Sequence, residues 1–266
     1  MTDVLPVTET VRLERNGDVA SLILDRPKKR NAINWVMWNE LLAAFDRVES
    51  SPARILTIRG NDGAFCSGAD LSAEAPDLHP LRQMELINRV IVRLHRLTKL
   101  TIAVVDGDAV GVGCNMALAC DFVVASERSR FSEIFVRRGM SVDGGGSWIL
   151  PRLIGLHAAK ELCLAGDFVS GAEAKAMGLI SRCETVDHLE AVVEELIGKL
   201  LLGAPIAQTL TKRLLAEGAN STLEAALDSE AAAQLVNLAG TDAAEAQRAF
   251  MDRREARFVG EWGQAR

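Results

Sequence analysis

The sequence predicts an α/β protein: a largely parallel sheet built from strand–helix units, followed by an all-helical C-terminal region. Three observations carry this. Short apolar runs such as RILTIR (54–59), TIAVV (101–105) and FVVA (122–125) alternate with helix-period segments, separated by loops rich in glycine. Continuous apolar runs mark strands buried on both faces of a parallel sheet, and their alternation with helices marks βα units. Beyond Asp143 helical patterns take over, with alanine-rich stretches such as EAALDSEAAAQL, and alanine is the strongest helix former.

The elements follow in order. Residues 11–15 and 19–25 read as a hairpin whose turn is Asn16-Gly17-Asp18, a strong turn signal. Pro27 ends the second strand. A helix spans about 34–48, with Asn34 as its cap and apolar residues at 37, 41, 45 and 48. The strand at 54–59 leads into a glycine-bearing loop, 60–71. A helix of about twenty residues is expected near 81–100, then the strand 101–105, a second glycine loop at 106–113, a short helix around 115–119 and the strand 122–125. Helices are expected at 145–154, 156–165, 171–177, 187–202, 205–217, 221–238 and 242–256, with no long strand among them.

The chain has 266 residues, is 48% apolar and carries a net charge of −6. These are globular proportions, and the length suits one large domain or a domain with an appendage. The acidic balance disfavours a general nucleic-acid binder, which carries a basic face. No tyrosine is present, so a tyrosine general acid is excluded. The five cysteines form no CxxC pair and read as reduced thiols. The four histidines (79, 95, 157, 188) show no metal-ligand spacing, so no metal site is expected. With neither a signal-peptide pattern at the N-terminus nor a run of about twenty apolar residues, a soluble, cytoplasmic protein with no membrane partner is expected.

Two loops invite chemistry: GNDGAFCSGADL (60–71) and VDGDAVGVGCNMALACDF (105–122). Each follows an apolar strand, and open α/β sheets bind ligands at the carboxyl ends of their strands. Glycine lets backbone N–H groups turn toward a ligand, and two such loops can aim two N–H groups at one carbonyl oxygen, forming an oxyanion hole. On residues alone the glycines read equally as tight turns. The segment GVGCNM fails the dinucleotide fingerprint, which needs glycine where Met116 stands, so no NAD site is indicated.

The segments RPKKRNAIN, GAFCSGADL, AVVDGDAVGVGCNMALACDF, GGGSWILPRLIG and SGAEAKAMGLIS, in this order and spacing, resemble the crotonase superfamily, the enoyl-CoA hydratase/isomerase family, from about residue 10 to 258. The resemblance implies a spiral of ββα units over residues 1–200 and a helical trimerisation region over 201–266. It implies homotrimers or dimers of trimers, and an acyl-CoA substrate with no cofactor beyond its coenzyme A moiety. The thioester carbonyl would be held by the backbone N–H groups of Ser67 and Val112. The implied CoA-binding set is Arg26, Lys28, Arg30, Ala32, Gly68, Ala69, Asp70, Leu71, Gly111 and Phe258. On composition alone, the cations of DRPKKRNA read as a solubilising loop and Asp70 as a loop-structuring acid.

The sequence departs from the hydratase pattern. Asn115 and Phe135 stand where the family's hydratases carry their two glutamates. A different carboxylate, Asp143 in GMSVDGGGSW, matches a position where certain enoyl-CoA isomerases carry a catalytic aspartate. Asp143 alternatively caps the following helix or sits in a surface turn. Glu133 is a second candidate acid, two residues before Phe135 and on the same face of extended backbone, although a solvated or salt-bridged surface role is the plainer reading. Hydration is naturally shared by two acid–base groups. A double-bond shift needs one base that takes a proton from C2 and returns it at C4. With Asp143 as the carboxylate in place, 3-enoyl to 2-enoyl isomerisation is the expected reaction. The alternatives are hydration with atypical acids, another crotonase reaction such as covalent attack by Asp143 with a histidine base, or acyl-CoA binding without turnover.

Overall fold

The computed structural model describes residues 2–4, 8–74 and 76–261. The chain forms two compact units, Met1–Val193 and Glu194–Arg266.

In the first unit, β1 (Thr2–Val4) pairs antiparallel with β2 (Val11–Asn16), and β2 with β3 (Val19–Leu24) across the expected Asn-Gly-Asp turn. Helix α1 (Trp35–Ser50) starts at Asn34, whose side chain accepts the Met37 N–H at 2.9 Å, so the predicted cap is present. It buries Met37, Trp38, Leu41, Phe45 and Val48, the stripe its 3.6-residue period requires. Strand β4 (Ile55–Gly60) then pairs parallel with β3.

Helix α2 (Pro80–His95) is shorter than expected. The chain leaves the helix because Thr98 donates its N–H and hydroxyl to Glu49, and Lys99 reaches the Ser51 carbonyl at 3.1 Å. Both ties lead to the end of α1, and β5 (Leu100–Val105) begins directly after them. After β6 (Asp108–Val110), helix α3 (Val112–Leu118) starts three residues earlier than the sequence suggests. Strand β7 (Phe122–Ser126) and the short β8 (Arg130–Ser132) follow.

Helix α4 (Gly146–Ala165) contains a break at Gly155, with φ of 75°, so the two predicted segments meet at a glycine kink. Beyond Asp143 the expected helices are joined by two short strands that the sequence did not signal, β9 (Phe168–Ser170), which precedes α5 (Gly171–Ala176), and β10 (Arg182–Glu184). Strands of three residues are too short to show a period of two. The main sheet runs β1-β2-β3-β4-β5-β7-β10, parallel from β3 onward, and a second sheet runs β6-β8-β9. Strands β4 and β5 are buried almost throughout, as their unbroken apolar runs require.

Helix α6 (Leu189–Leu201) leads into the second unit, which holds α7 (Pro205–Gly218), α8 (Leu223–Ala239) and α9 (Thr241–Asp252). There Asp242 accepts the N–H groups of Val259 and Gly260 at 2.9 and 3.0 Å, pinning the segment after α9. No helix among the described residues is long and apolar enough to cross a membrane, and no cluster of three metal-ligating side chains occurs among them.

Candidate active site

The parallel register brings the carboxyl ends of β4 and β5 side by side, and the two glycine loops leave from there. They are stitched together by a parallel bridge between Cys66 and Ala109, with Cys66 N–H on the Asp108 carbonyl at 3.0 Å and Val110 N–H on the Cys66 carbonyl at 2.9 Å. Gly113 lets α3 lie directly on this bridge, since a Cβ there would sit 2.6 Å from the Cys66 carbonyl oxygen.

Ser67, expected to supply an oxyanion donor, does not have a free amide. Its N–H donates to the Arg30 carbonyl at 3.0 Å, so that assignment is corrected. Two residues further, the chain bridges to Ile33 through the Gly68 carbonyl (2.8 Å) and the Asp70 N–H (2.9 Å). A parallel bridge of this kind uses the groups flanking its central residue, so the N–H of Ala69 faces the other way. Gly68 makes the turn between these two bonds with φ of 99°, a conformation costly for any residue with a Cβ. Among the described residues the N–H groups of Ala69 and Val112 have no partner. Val112 is the first residue of α3, where amides lack an intrahelical acceptor. Ala69 and Val112 each lie three residues beyond the bridged pair Cys66–Ala109, and the two loops stay close past it, since a Cβ on Gly68 would lie 3.0 Å from the Val110 carbonyl oxygen. Ala69 and Val112 are thus residues of the two loops whose amides remain free among the described residues. Gly111, just before Val112, donates its own N–H to the Ser132 carbonyl at 2.7 Å.

Asp143 enters from the loop before α4. Asn115, one turn along α3 from Val112, donates its side-chain amide to the Asp143 carbonyl oxygen at 2.8 Å and to Glu133 Oε2 at 3.2 Å. The next residue, Gly144, approaches Val112 so closely that a Cβ would lie 2.8 Å from Val112 Cγ2. Helix α4 is capped at Gly145 with no side-chain bond, so Asp143 does not cap it. Its Oδ1 is buried without a partner, and desolvation pushes its carboxyl up to about 6. Apolar groups dominate nearby: Val112, half-buried Val142, and Ile91 of α2, which comes within 3.6 Å of a Cβ built on Gly145. Phe135 is buried, its ring packed on Gly111 where the resemblance would place a glutamate.

Glu133 overturns the expectation of a solvated role. It is 1% exposed, and among the described residues it forms no ion pair and its Oε1 has no hydrogen-bond partner. Desolvation pushes it up to about 7, because burial penalises the charged form. None of the histidines supplies a base to this cluster. His79 accepts the Leu81 N–H at the start of α2, His95 stacks edge-on against Trp148, His188 meets Thr185, and His157 is exposed on α4.

The basic loop is more committed than its sequence suggests. Arg26 pairs with Asp70 at 2.9 Å and donates to the Ala32 carbonyl at 2.5 Å, so it is not a free phosphate ligand. The Ser72 hydroxyl, and then the Arg26 guanidinium, hold the Asp70 carboxyl below its usual range, which makes Asp70 a loop-structuring acid. Asn31, not singled out by sequence, is fully buried and donates to the Asn61 and Ala64 carbonyls at 2.8 Å, tying the basic loop to the first glycine loop. Its signal was an asparagine amid cations, a residue tolerant of the left-handed φ of 55° found there. Lys29, bonded to Ser72 at 3.1 Å, lines a cleft of about 390 Å³ with Arg26, Trp35 and Asp70. Lys28, Arg30, Ala69 and Leu71 are exposed, and Ala32 is buried. Phe258 lies half-buried in the second unit.

Comparison with known proteins places the chain in a family. The family model described as "Enoyl-CoA hydratase/isomerase" matches residues 14–261. A crotonyl-CoA hydratase of Syntrophomonas wolfei is 31% identical over 94% of this chain and 98% of its own. A trans-2-decenoyl-[acyl-carrier-protein] isomerase of Streptococcus mutans is 30% identical over 92% of this chain and 95% of its own. The crystal structure of an enoyl-CoA hydratase from Bacillus anthracis superposes with a TM-score of 0.90 at 28% identity, covering 95% of this chain and all of that one.

Proposed function

The chain belongs to the enoyl-CoA hydratase/isomerase family, the crotonase superfamily, and from that premise we propose that it is an isomerase that interconverts 3-enoyl and 2-enoyl CoA thioesters with Asp143 as its single base. The N–H groups of Ala69 and Val112 hold the thioester oxygen. Asp143 takes a proton from C2; the electrons of that C–H bond pass into the dienolate, with charge on the oxygen between the two donors. The same carboxyl, now neutral, returns the proton at C4, and the double bond moves to C2–C3.

The observation that carries this reading is the state of Asp143. It is a desolvated carboxyl, raised to about 6, beside the unpartnered Val112 amide, in a site where Asn115 and Phe135 replace the pair of acids that hydration uses. A base whose pKa lies near the operating pH is both available and strong. Incubating the protein with 2-enoyl and 3-enoyl thioesters of several chain lengths tests it. Interconversion of the two enoyl forms is expected. Formation of 3-hydroxyacyl product in their place establishes hydration, and binding without turnover establishes a non-catalytic acyl-CoA binder. Hydration is the second reading because Glu133, joined to Asp143 through Asn115, puts a second carboxyl in the cluster.

The cleft beside Lys29 supports the placement of the CoA phosphates there, with Lys28 and Arg30 exposed on the same loop. Lys29→Ala is expected to raise KM for the CoA thioester severalfold and leave kcat alone. KM for a pantetheine thioester, which lacks the nucleotide phosphates, stays unchanged, and steady-state kinetics on both substrates checks this. In the second unit Leu215, Leu235, Leu238 and Phe250 are 71–85% exposed. Such apolar surface supports a homo-oligomer, a trimer or dimer of trimers, with Phe258 covering the CoA of its own or a neighbouring chain. Light scattering in solution is expected to give three or six times the mass of one chain.

A further inference from the structure

Glu133 is the buried acid that the proposed mechanism leaves idle. Its surroundings are short of donors. Asn115 Oδ1, Glu133 Oε1 and Asp143 Oδ1 are all buried acceptors without a partner among the described residues. The one amide in the cluster is fully spent, on Glu133 Oε2 and on the Asp143 main chain. Among the described residues no Lys or Arg pairs with either carboxyl. The other groups facing Glu133 are the thiol of Cys114 on α3, a weak donor that interacts with its carboxyl, and the thiol of Cys163 on α4. Burial raises both thiols, Cys163 to about 11, so neither contributes charge near neutrality. Two unpaired carboxylates cannot both be ionised cheaply in such a place.

We propose that Glu133 is a positioning residue that stays protonated as the partner of Asp143, clamped through Asn115 to the turn that carries the base, so that the site holds a single negative charge. This rests on the reading of Asp143 as the base. The dienolate is itself an anion, and a second fixed negative charge beside it would raise its energy. Glu133 is 1% exposed whereas Asp143 is only half-buried, so desolvation bears harder on Glu133 and Asp143 is the acid that ionises first. The site loses its working state as Glu133 in turn gives up its proton.

The test is the pH profile of kcat for the wild type and for Glu133→Gln, an isostere that never ionises. The wild type is expected to rise through about pH 6 and then fall about twentyfold between pH 6.5 and 8.5, the slope of one ionisation near 7. In Glu133→Gln the alkaline fall is expected to vanish while the rise near 6 remains. A merely structural glutamate predicts the same profile shape in both proteins, and that result overturns the proposal. So does a wild type with no alkaline limb. Stability provides a readout independent of turnover. A carboxyl whose folded pKa is raised gives stability that is fully present below its unfolded value and lost as pH rises through the folded one. The wild type is therefore expected to lose denaturation midpoint between pH 5 and 8 relative to Glu133→Gln. Absence of isomerase activity at every pH defeats the reading of the reaction; parallel stability curves for the two proteins defeat the assignment to Glu133.

Discussion

Replacing Asp143 by asparagine is expected to reduce isomerisation by about 10²–10⁴-fold in kcat, the usual contribution of a positioned acid–base group. The change keeps the shape of the side chain, and the main-chain carbonyl that Asn115 grips is untouched. The buried Oδ1 has no partner to lose, and the raised pKa shows that ionising this group costs the fold rather than helps it. The variant should therefore be at least as stable as the wild type at pH 8, and its affinity for the thioester should be preserved. Kinetics with a 3-enoyl thioester, alongside a binding titration, separates the loss of the base from loss of the site. Turnover at the wild-type rate would remove Asp143 from the mechanism.

Val112→Pro is expected to raise the barrier by about 2.7–4 kcal/mol, or about 10²–10³-fold in rate, the cost of one oxyanion donor. Proline removes the N–H together with the buried valine side chain, for which Val112→Ala is the control. Val112 is the first residue of α3, the position at which helices accept proline, and its amide has no partner among the described residues. Val112→Ala keeps the amide and should stay within a few-fold of the wild type. A loss of similar size in both variants would show that the side chain, packed against the Asp143 turn, is what matters. Comparing kcat/KM of the two variants with their denaturation midpoints distinguishes these outcomes.

What the sequence revealed and what it hid follow one line. Features set by near neighbours were legible: the Asn34 cap, the apolar stripe of α1, the buried runs of β4 and β5, and the glycine break at 155. The family resemblance singled out Asp143 and Val112 as candidates. Features set by distant partners were not legible. Whether Ser67 or Ala69 offers a free amide depends on the Arg30 carbonyl consuming the first. Arg26 looks like a phosphate ligand until Asp70, far along the chain, takes its guanidinium. Glu133 reads as a surface acid because a three-residue strand shows no periodicity. Its partners are distant in sequence, Cys114 and Asn115 of α3 and Cys163 of α4, so neither its burial nor its lack of a cation shows in the local pattern.

The most direct test of the central claim is a crystal structure with an unreactive acyl-CoA analogue. The account predicts the carbonyl oxygen about 2.7–3.1 Å from the amide nitrogens of both Ala69 and Val112, the geometry of an oxyanion hole. It also predicts the Asp143 carboxyl about 3–3.5 Å from C2, the distance of a near-attack arrangement. A carbonyl bound away from those two amides, or an Asp143 carboxyl turned from the acyl chain toward solvent, would contradict it.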